Sequence, residues 1–384
     1  MKHYFRTIII LFFSFLNLYS ADGINRSIEI RILVANDLSN FELKTYGKIY
    51  ATEEKTGEKY LLLENSLYDI RPEKNEKIII SDEKLLSPVY MENSTPESYI
   101  VIDGKKYRGK FKLANKNGKL NIIEYVDIER YLWGVLGPEM GANWPIEALK
   151  AQAVAARTYT LATLSKNNDY DMTNTTQHQV YTGFDNISPQ IISAVNETRG
   201  EVLTYKNEIF TTFYHANSGG HTTTPSGVWN SKIIPPLRGV NDPYYKNSPS
   251  ANWSVFISNS DILNFLNKNG HSVNRIKSFR IYSKDKSGRT VKFLFNTDKG
   301  SIKLEAKDLR SFIGTFDMKS TFITSIQSVK NGYKIYGRGW GHGIGLCQDG
   351  AKKMADKGFD YKKILSFYYP GSKIKDIDEV NHER

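Results

Sequence analysis

Residues 127–164 read DIERYLWGVLGPEMGANWPIEALKAQAVAARTYTLATL, and the character of the chain changes at the first of them. Ile128, Tyr131, Leu132 and Val135 recur at helical spacing, with Asp127 placed to cap them. Gly137-Pro138 is expected to stop that helix. A second helix is expected from Trp144-Pro145, since proline suits a first helical turn. It should run to Leu164, and alanine on several of its faces marks it as buried and closely packed. Upstream, residues from about 28 to 125 carry strand signals. Ile28 to Val34 alternates charged and apolar residues, Lys77–Ile80 and Tyr99–Ile102 are β-branched, and Asp103-Gly104 and Asn117-Gly118 mark hairpin turns. Downstream, Ser188-Pro189 opens a helix that Gly200 closes, and Val202–Tyr205 with Ile209–Tyr214 reads as a hairpin around Lys206-Asn207. Short strands then mix with helices near Asp261–Asn267 and Lys307–Phe312. Two more helices follow, at about 346–357 and 361–368. This interleaving has no regular βαβ alternation, so the expected class is α+β. Mixed helices and antiparallel strands surround one main domain, preceded by a β-rich segment. The polar, proline-bearing stretch Met91–Glu97 sets a soft boundary, which gives a β-rich segment at 21–98, a main domain at 99–375 and a tail at 376–384.

The first twenty residues order themselves as a secretory signal peptide. Lys2 and Arg6 are followed by the apolar run Ile8–Phe15, broken only by Ser14, and then by Ser20 and Ala21. That run is shorter than the roughly 20 residues a spanning helix needs, so membrane contact is expected only through an uncleaved signal segment. The expected location is extracytoplasmic: periplasm, cell wall or secreted. Cys347 is the only cysteine, which excludes an intrachain disulfide. A formal charge of +11 favours anionic partners. The Lys and Arg residues are scattered, however, with no block of like charge, and export argues against nucleic acid.

Three stretches can carry chemistry. Glu139 lies between the stop of one helix and the start of the next, with Met140, Trp133 and Trp144 nearby to exclude water. Desolvation would raise its pKa and keep a proton available for a leaving oxygen. On position alone the favoured reading is a surface glutamate near a helix N-terminus, where negative charge is stabilised anyway. In Tyr214–His221 the paired glycines allow close backbone approach to a ligand. His215 and His221 there read as site residues or as a solvated loop; six residues apart is weak metal spacing. In Gly337–Gly345, glycine alternates with Arg338, Trp340, His342 and Ile344, which suits a tightly packed strand end or a floor beneath a ligand. His342 either faces that ligand or sits satisfied in the core. Phosphate-loop, zinc-protease, lipase-type and thioredoxin motifs are all absent from the sequence.

Taken together, these segments resemble the SpoIID/LytB family of stage II sporulation protein D and amidase-enhancer proteins. The likeness runs over roughly residues 99–373. It rests on YLWGVLGPEMGANWPIEALKAQAVAARTYTL, Gln179-Val180-Tyr181-Thr182-Gly183, Ser218-Gly219-Gly220-His221 and GRGWGHGIGLCQDGAKKMADKG, trailed by Tyr368-Tyr369-Pro370-Gly371. The resemblance implies a peptidoglycan lytic transglycosylase acting on strands stripped of stem peptides, with 99–375 as its catalytic domain and Glu139 as its single acid/base. That mechanism departs from the two-carboxylate pattern of most glycoside hydrolases. The matched motifs further imply substrate-binding roles for Gln152, Arg157, Tyr181, His215, Ser218, His221, His342 and Gln348, while Lys150 is read as solvated. Some members carry zinc on Cys and His beside Gln-Val-Tyr. Here Thr176-Gln177-His178 offers no cysteine, so zinc is doubtful and no metal or cofactor is assigned. The implied partners are peptidoglycan glycan strands and, from the amidase-enhancer branch, a cell-wall amidase. That branch supplies the alternative of a non-catalytic wall-binding protein that activates the amidase.

Overall fold

A computed structural model describes residues 27–165, 168–185, 187–229, 232–246 and 248–380. The expected signal peptide at 1–20 and the last four residues of the tail lie outside these. The class is α+β, as the sequence pattern predicts. Before residue 127 the chain forms two antiparallel layers. One sheet orders Met172–Thr173, Glu29–Leu38, Lys119–Asp127, Lys110–Lys116, Val89–Asn93, Ile49–Glu53 and Lys59–Leu62 side by side; only its first pairing is parallel. The other orders Lys105–Tyr107, Tyr99–Ile102, Phe41–Tyr46, Leu67–Glu73, Lys77–Ile80 and Glu83–Leu86. Inward and outward residues alternate, as in Phe41–Tyr46, where Phe41, Leu43 and Thr45 are buried and Glu42 and Lys44 exposed. Asp103-Gly104 and Asn117-Gly118 take the positive φ angles that tight hairpins require.

Eight helices are described: α1 (Ile128–Met140), α2 (Ile146–Thr163), α3 (Pro189–Glu197), α4 (Pro225–Trp229), α5 (Asn259–Lys268), α6 (Ala306–Ile313), α7 (Gln348–Asp356) and α8 (Tyr361–Tyr368). The α2 helix is the hub. Its buried Ala148, Ala151, Ala153, Ala155 and Ala156 let α1, α3, α7 and α8 approach closely. The expected second hairpin strand at 209–214 is cut to Glu208–Ile209. Beyond it the chain turns inward, where the Thr212 hydroxyl donates to the Ala155 carbonyl of α2 at 2.7 Å.

Residues on both sides of 91–97 belong to one hydrophobic core, which runs from Ile30 to Val380 and holds α1, α2, α7 and α8. A second core, built on Trp253, Phe265, Phe279, Phe293, Phe295, Tyr333 and Ile335, belongs to an inserted lobe. That lobe contains two three-stranded sheets with α5 and α6. The sequence pattern does not separate it, because its short strands resemble those around it. No helix among the described residues is long and apolar enough to cross a membrane.

One buried carboxyl sets a pH dependence for the main core. Glu124 is wholly buried, and desolvation pushes its pKa up to about 8, against a weaker downward pull from the Tyr181 hydroxyl and the Arg108 backbone. The folded state therefore holds a proton that the unfolded chain releases above pH 4.5. The unfolded state binds fewer protons in that window, so stability falls as pH rises from about 4.5 to 8. Glu124→Gln should flatten this decline in thermal unfolding midpoints measured against pH. Parallel curves for the two proteins would refute it.

Candidate active site

The site begins at the end of α1. The Asp127 carboxylate caps the helix, accepting from the Glu129 and Arg130 N–H groups at 3.0 and 3.3 Å. The expected stop at Gly137-Pro138 does not occur; the helix continues to Met140 and ends at Gly141, φ 90°. The reason is local. Proline has no N–H, which frees the carbonyl of Gly134 one turn back. The Thr182 N–H reaches that carbonyl at 3.4 Å, so the lost helical bond is replaced from outside. Glu139 therefore sits in the last helical turn rather than in a hinge loop.

The same outside segment holds the carboxyl. The Val180 N–H donates to Glu139 Oε1 at 3.0 Å. Burial raises the pKa of Glu139 above the ordinary carboxylate range, with Val180 and Gln348 pulling the other way. The helix C-terminus adds a negative potential that also disfavours the carboxylate. Of the three shielding residues expected from sequence, Met140 is buried while Trp133 and Trp144 are half-buried. Burial also raises the hydroxyl pKa of Tyr131, Tyr159 and Tyr214, and the Glu139 charge contributes to each shift, which places all three within electrostatic reach.

Gln179 ties this neighbourhood together. Its amide nitrogen donates to Thr160 at 2.9 Å and to the Tyr131 hydroxyl at 3.3 Å, and its amide oxygen accepts from the Tyr214 hydroxyl at 2.9 Å. Tyr214–His215 pairs in parallel with Leu346–Cys347, which delivers Gln348 as the first residue of α7. The Gln348 side chain is buried and lies near enough to Glu139 to lower its pKa, although beyond ordinary hydrogen-bond length. Its amide nitrogen has no hydrogen-bond partner among the described residues. Gln152 is fully buried with both amide atoms in the same condition, and it lies seven residues before Tyr159, on the same face of α2.

The His215 and His342 rings lie 5.6 Å apart, tilted by 57°. His215 Nδ1 pairs with the Ile344 carbonyl at 3.1 Å, and His342 Nδ1 accepts from the Ile344 N–H at 3.0 Å. Burial holds His215 well below its ordinary pKa, with the facing His342 and the Arg289 cation adding to the effect. Burial pushes His342 down to about 3, helped by Arg289 and Arg310. Both rings are thus neutral near pH 7. They can orient or bind a ligand, and neither holds a proton to give near neutral pH. The glycine ladder lies beneath them: a side chain at Gly343 would strike the Arg289 guanidinium at 2.2 Å, and one at Gly345 the Phe213 carbonyl at 2.0 Å.

Other residues assigned from the motifs take structural positions. Arg157 is almost fully buried and grips Glu129 in a two-pronged pair of 2.8 and 2.6 Å, while also donating to the Glu201 carbonyl at 3.0 Å. Glu129 is ten residues from Glu139, about 15 Å along the helix, so Arg157 braces three elements far from the carboxyl. Tyr181 is buried between Tyr107 and Tyr131. The Ser218 hydroxyl is buried and spent on Asp242 at 2.7 Å. His221 pairs with the Thr222 carbonyl at 2.6 Å, and no contact joins it to His215 or His342 among the described residues. Lys150 is held by Glu147 and Glu197 at 3.0 and 2.7 Å. His178 is engaged by Thr173 at 3.0 Å. Among the described residues, no three His, Cys, Asp or Glu side chains are grouped to hold a metal ion. Sequence reading passed over Gln179 and Tyr214, although both stand inside motifs it quoted. It also missed Arg289, for which the sequence carries no signal.

With this geometry in place, similarity to known proteins becomes decisive. A family model described as Stage II sporulation protein (SpoIID) matches residues 116–205. An uncharacterized protein of Brachyspira hyodysenteriae is 36% identical, the match covering 74% of this chain and 76% of that protein. The chain belongs to the SpoIID family. The family region runs from the strand before α1 to the strand after α3, and so contains Glu139, Gln152 and Gln179. The amidase enhancer of Bacillus subtilis is 32% identical over 74% of this chain, which spans about half, 46%, of that longer protein. Stage II sporulation protein D of Bacillus subtilis is 28% identical over 70% of this chain and 78% of its own length. A second model, Domain of unknown function (DUF8618), matches residues 240–345 and coincides with the inserted lobe.

The placement of Arg157 has a measurable consequence. Arg157→Met strands the Glu129 carboxylate in the core and should cost about 3–5 kcal/mol in denaturant unfolding. Adding Glu129→Leu should return much of that loss. A single variant within 1 kcal/mol of the parent would show the pair to be dispensable.

Proposed function

We propose that this protein is an exported, extracytoplasmic peptidoglycan lytic transglycosylase in which Glu139 is the only acid/base. The observation that carries the reading is a half-buried carboxyl whose pKa is raised by burial, held by a backbone N–H and lying within reach of the buried Gln348 amide. Such a group keeps its proton where an ordinary glutamate has lost it, and it is poised to give that proton away. Family membership and the names of the relatives support a cell-wall role, and the N-terminal signal pattern supports export.

In the proposed reaction, Glu139 donates its proton to the bridging oxygen leaving N-acetylmuramic acid as the C1–O bond breaks. The resulting carboxylate takes the proton of the same sugar's 6-hydroxyl, whose oxygen closes on C1. Glu139 ends protonated, the product carries a 1,6-anhydro ring and no water is consumed. Strands already stripped of stem peptides are the proposed substrate. The neutral His215 and His342, with Gln348 and Gln152, are proposed as the polar groups that orient it.

The likeness to the amidase enhancer favours one further reading, a wall-binding protein that stimulates a partner amidase. Mass spectrometry of denuded glycan strands incubated with the mature chain separates the two. Transglycosylation yields anhydro-ended fragments, and Glu139→Gln should reduce their rate by at least about 100-fold. Because the acid form is required, the rate should fall with rising pH at a midpoint above the ordinary glutamate value of 4.5. Equal product from the Gln variant would end the assignment. Faster peptide release by an added amidase, without glycan fragments, would establish the second reading.

A further inference from the structure

Trp229 is the last residue of α4, in the segment that follows the Ser218–His221 loop, and 42% of its surface is exposed. Leaving so much indole in water forgoes burial that a core position would supply. The exposure is also not looseness. The ring packs against Phe213 at 4.7 Å and against His342 at 5.2 Å, tilted by 48° and 51°. Both supports are fixed. His342 is locked by its bond from the Ile344 N–H, and the Phe213 carbonyl accepts from the Tyr369 hydroxyl at 2.7 Å and the Leu346 N–H at 3.1 Å. The indole is therefore a preformed flat surface whose ordering is complete before any ligand arrives.

Its place relative to the carboxyl identifies what it would meet. Ring contacts of 4.7 Å to Phe213 and 6.2 Å from Phe213 to Tyr159 lead to Tyr159, whose hydroxyl feels the Glu139 charge. Two ring contacts thus connect Trp229 to a tyrosine within electrostatic reach of Glu139. The Thr224 and Ser226 hydroxyls, which pair at 3.0 Å, precede it in the same short segment. One flat, partly exposed aromatic face suits a pyranose ring, which presents C–H bonds on its faces and hydroxyls around its rim. It suits an extended apolar partner poorly, since that calls for a broad greasy patch.

We infer that Trp229 is a sugar-stacking platform that holds a hexosamine ring of the glycan strand away from the cleaved bond. The inference rests on the glycan-cleaving reading above and extends it with a subsite. The test uses the mature chain carrying Glu139→Gln, so that binding is read without turnover. Soluble denuded glycan strands are titrated against it, with intrinsic tryptophan fluorescence and calorimetry as readouts. Trp229→Ala should weaken binding by about tenfold and abolish most of the fluorescence response. Trp229→Phe should keep much of the affinity, and Trp229→Leu, which still covers His342 but lacks a flat ring, should behave like the Ala variant. Thermal midpoints close to the parent's establish that the variants are folded. Unchanged binding in the Ala and Leu variants overturns the platform, as does a parent that binds no strands. If the Glu139 protein cuts no strands yet Trp229→Ala still loses binding, the cleavage reading fails and the platform stands. If strands are cut and binding ignores Trp229, the reverse holds.

Discussion

The hydrogen bond from the Val180 N–H to the Glu139 carboxyl ties the candidate acid to the second of the two parts of the chain on which the site depends. On one side is the last turn of α1; on the other is the extended segment leading from the Met172–Thr173 strand. Pro138 makes the junction possible, because its missing N–H leaves the Gly134 carbonyl open to Thr182, two residues beyond Val180. Gly134 has to be glycine for the same reason. A side chain there would strike the Gly183 carbonyl at 2.0 Å and the Tyr181 ring at 2.5 Å. The helix end, the segment and the carboxyl are therefore positioned as one unit.

The electrostatics around that unit are consistent with a single proton carrier. Burial raises Glu139 toward its neutral form and drives both nearby histidines toward theirs. Arg289, reaching from the inserted lobe, donates to the Ser218 carbonyl at 2.6 Å and reinforces the neutrality of the histidines. The lobe thus contributes a buried cation behind the two histidines, which connects it physically to the candidate site.

The residues that report local rules were legible in the sequence. Asp127 caps, Pro145 leads a helix, Asp103-Gly104 turns a hairpin, and the α+β class follows from their order. Glu139 was legible as a candidate because its flanks place it beside a helix end. What could not be read was which motif residues face inward to hold the fold. Arg157, Tyr181 and Ser218 belong to the motifs because they brace α1, α2 and the 213–219 segment. Gln179 and Tyr214, from the same motifs, bond to each other and, through Gln179, to Tyr131 and Thr160, and Tyr214 lies within electrostatic reach of the carboxyl. That distinction depends on which side of an element packs against another, and short motifs carry no such information. The second core was equally hidden, since strand periodicity reports burial without saying in which core.

Burial is expected to hold Glu139 protonated beyond the range of an ordinary glutamate before any ligand binds. Carbon-13 NMR titration of the labelled glutamate carboxyls, with Glu139 assigned by comparison with Glu139→Gln, measures this directly. The expected result is a Glu139 resonance that titrates above the other surface glutamates. A Glu139 resonance that moves with those exposed carboxyls, at their ordinary midpoint, would contradict it.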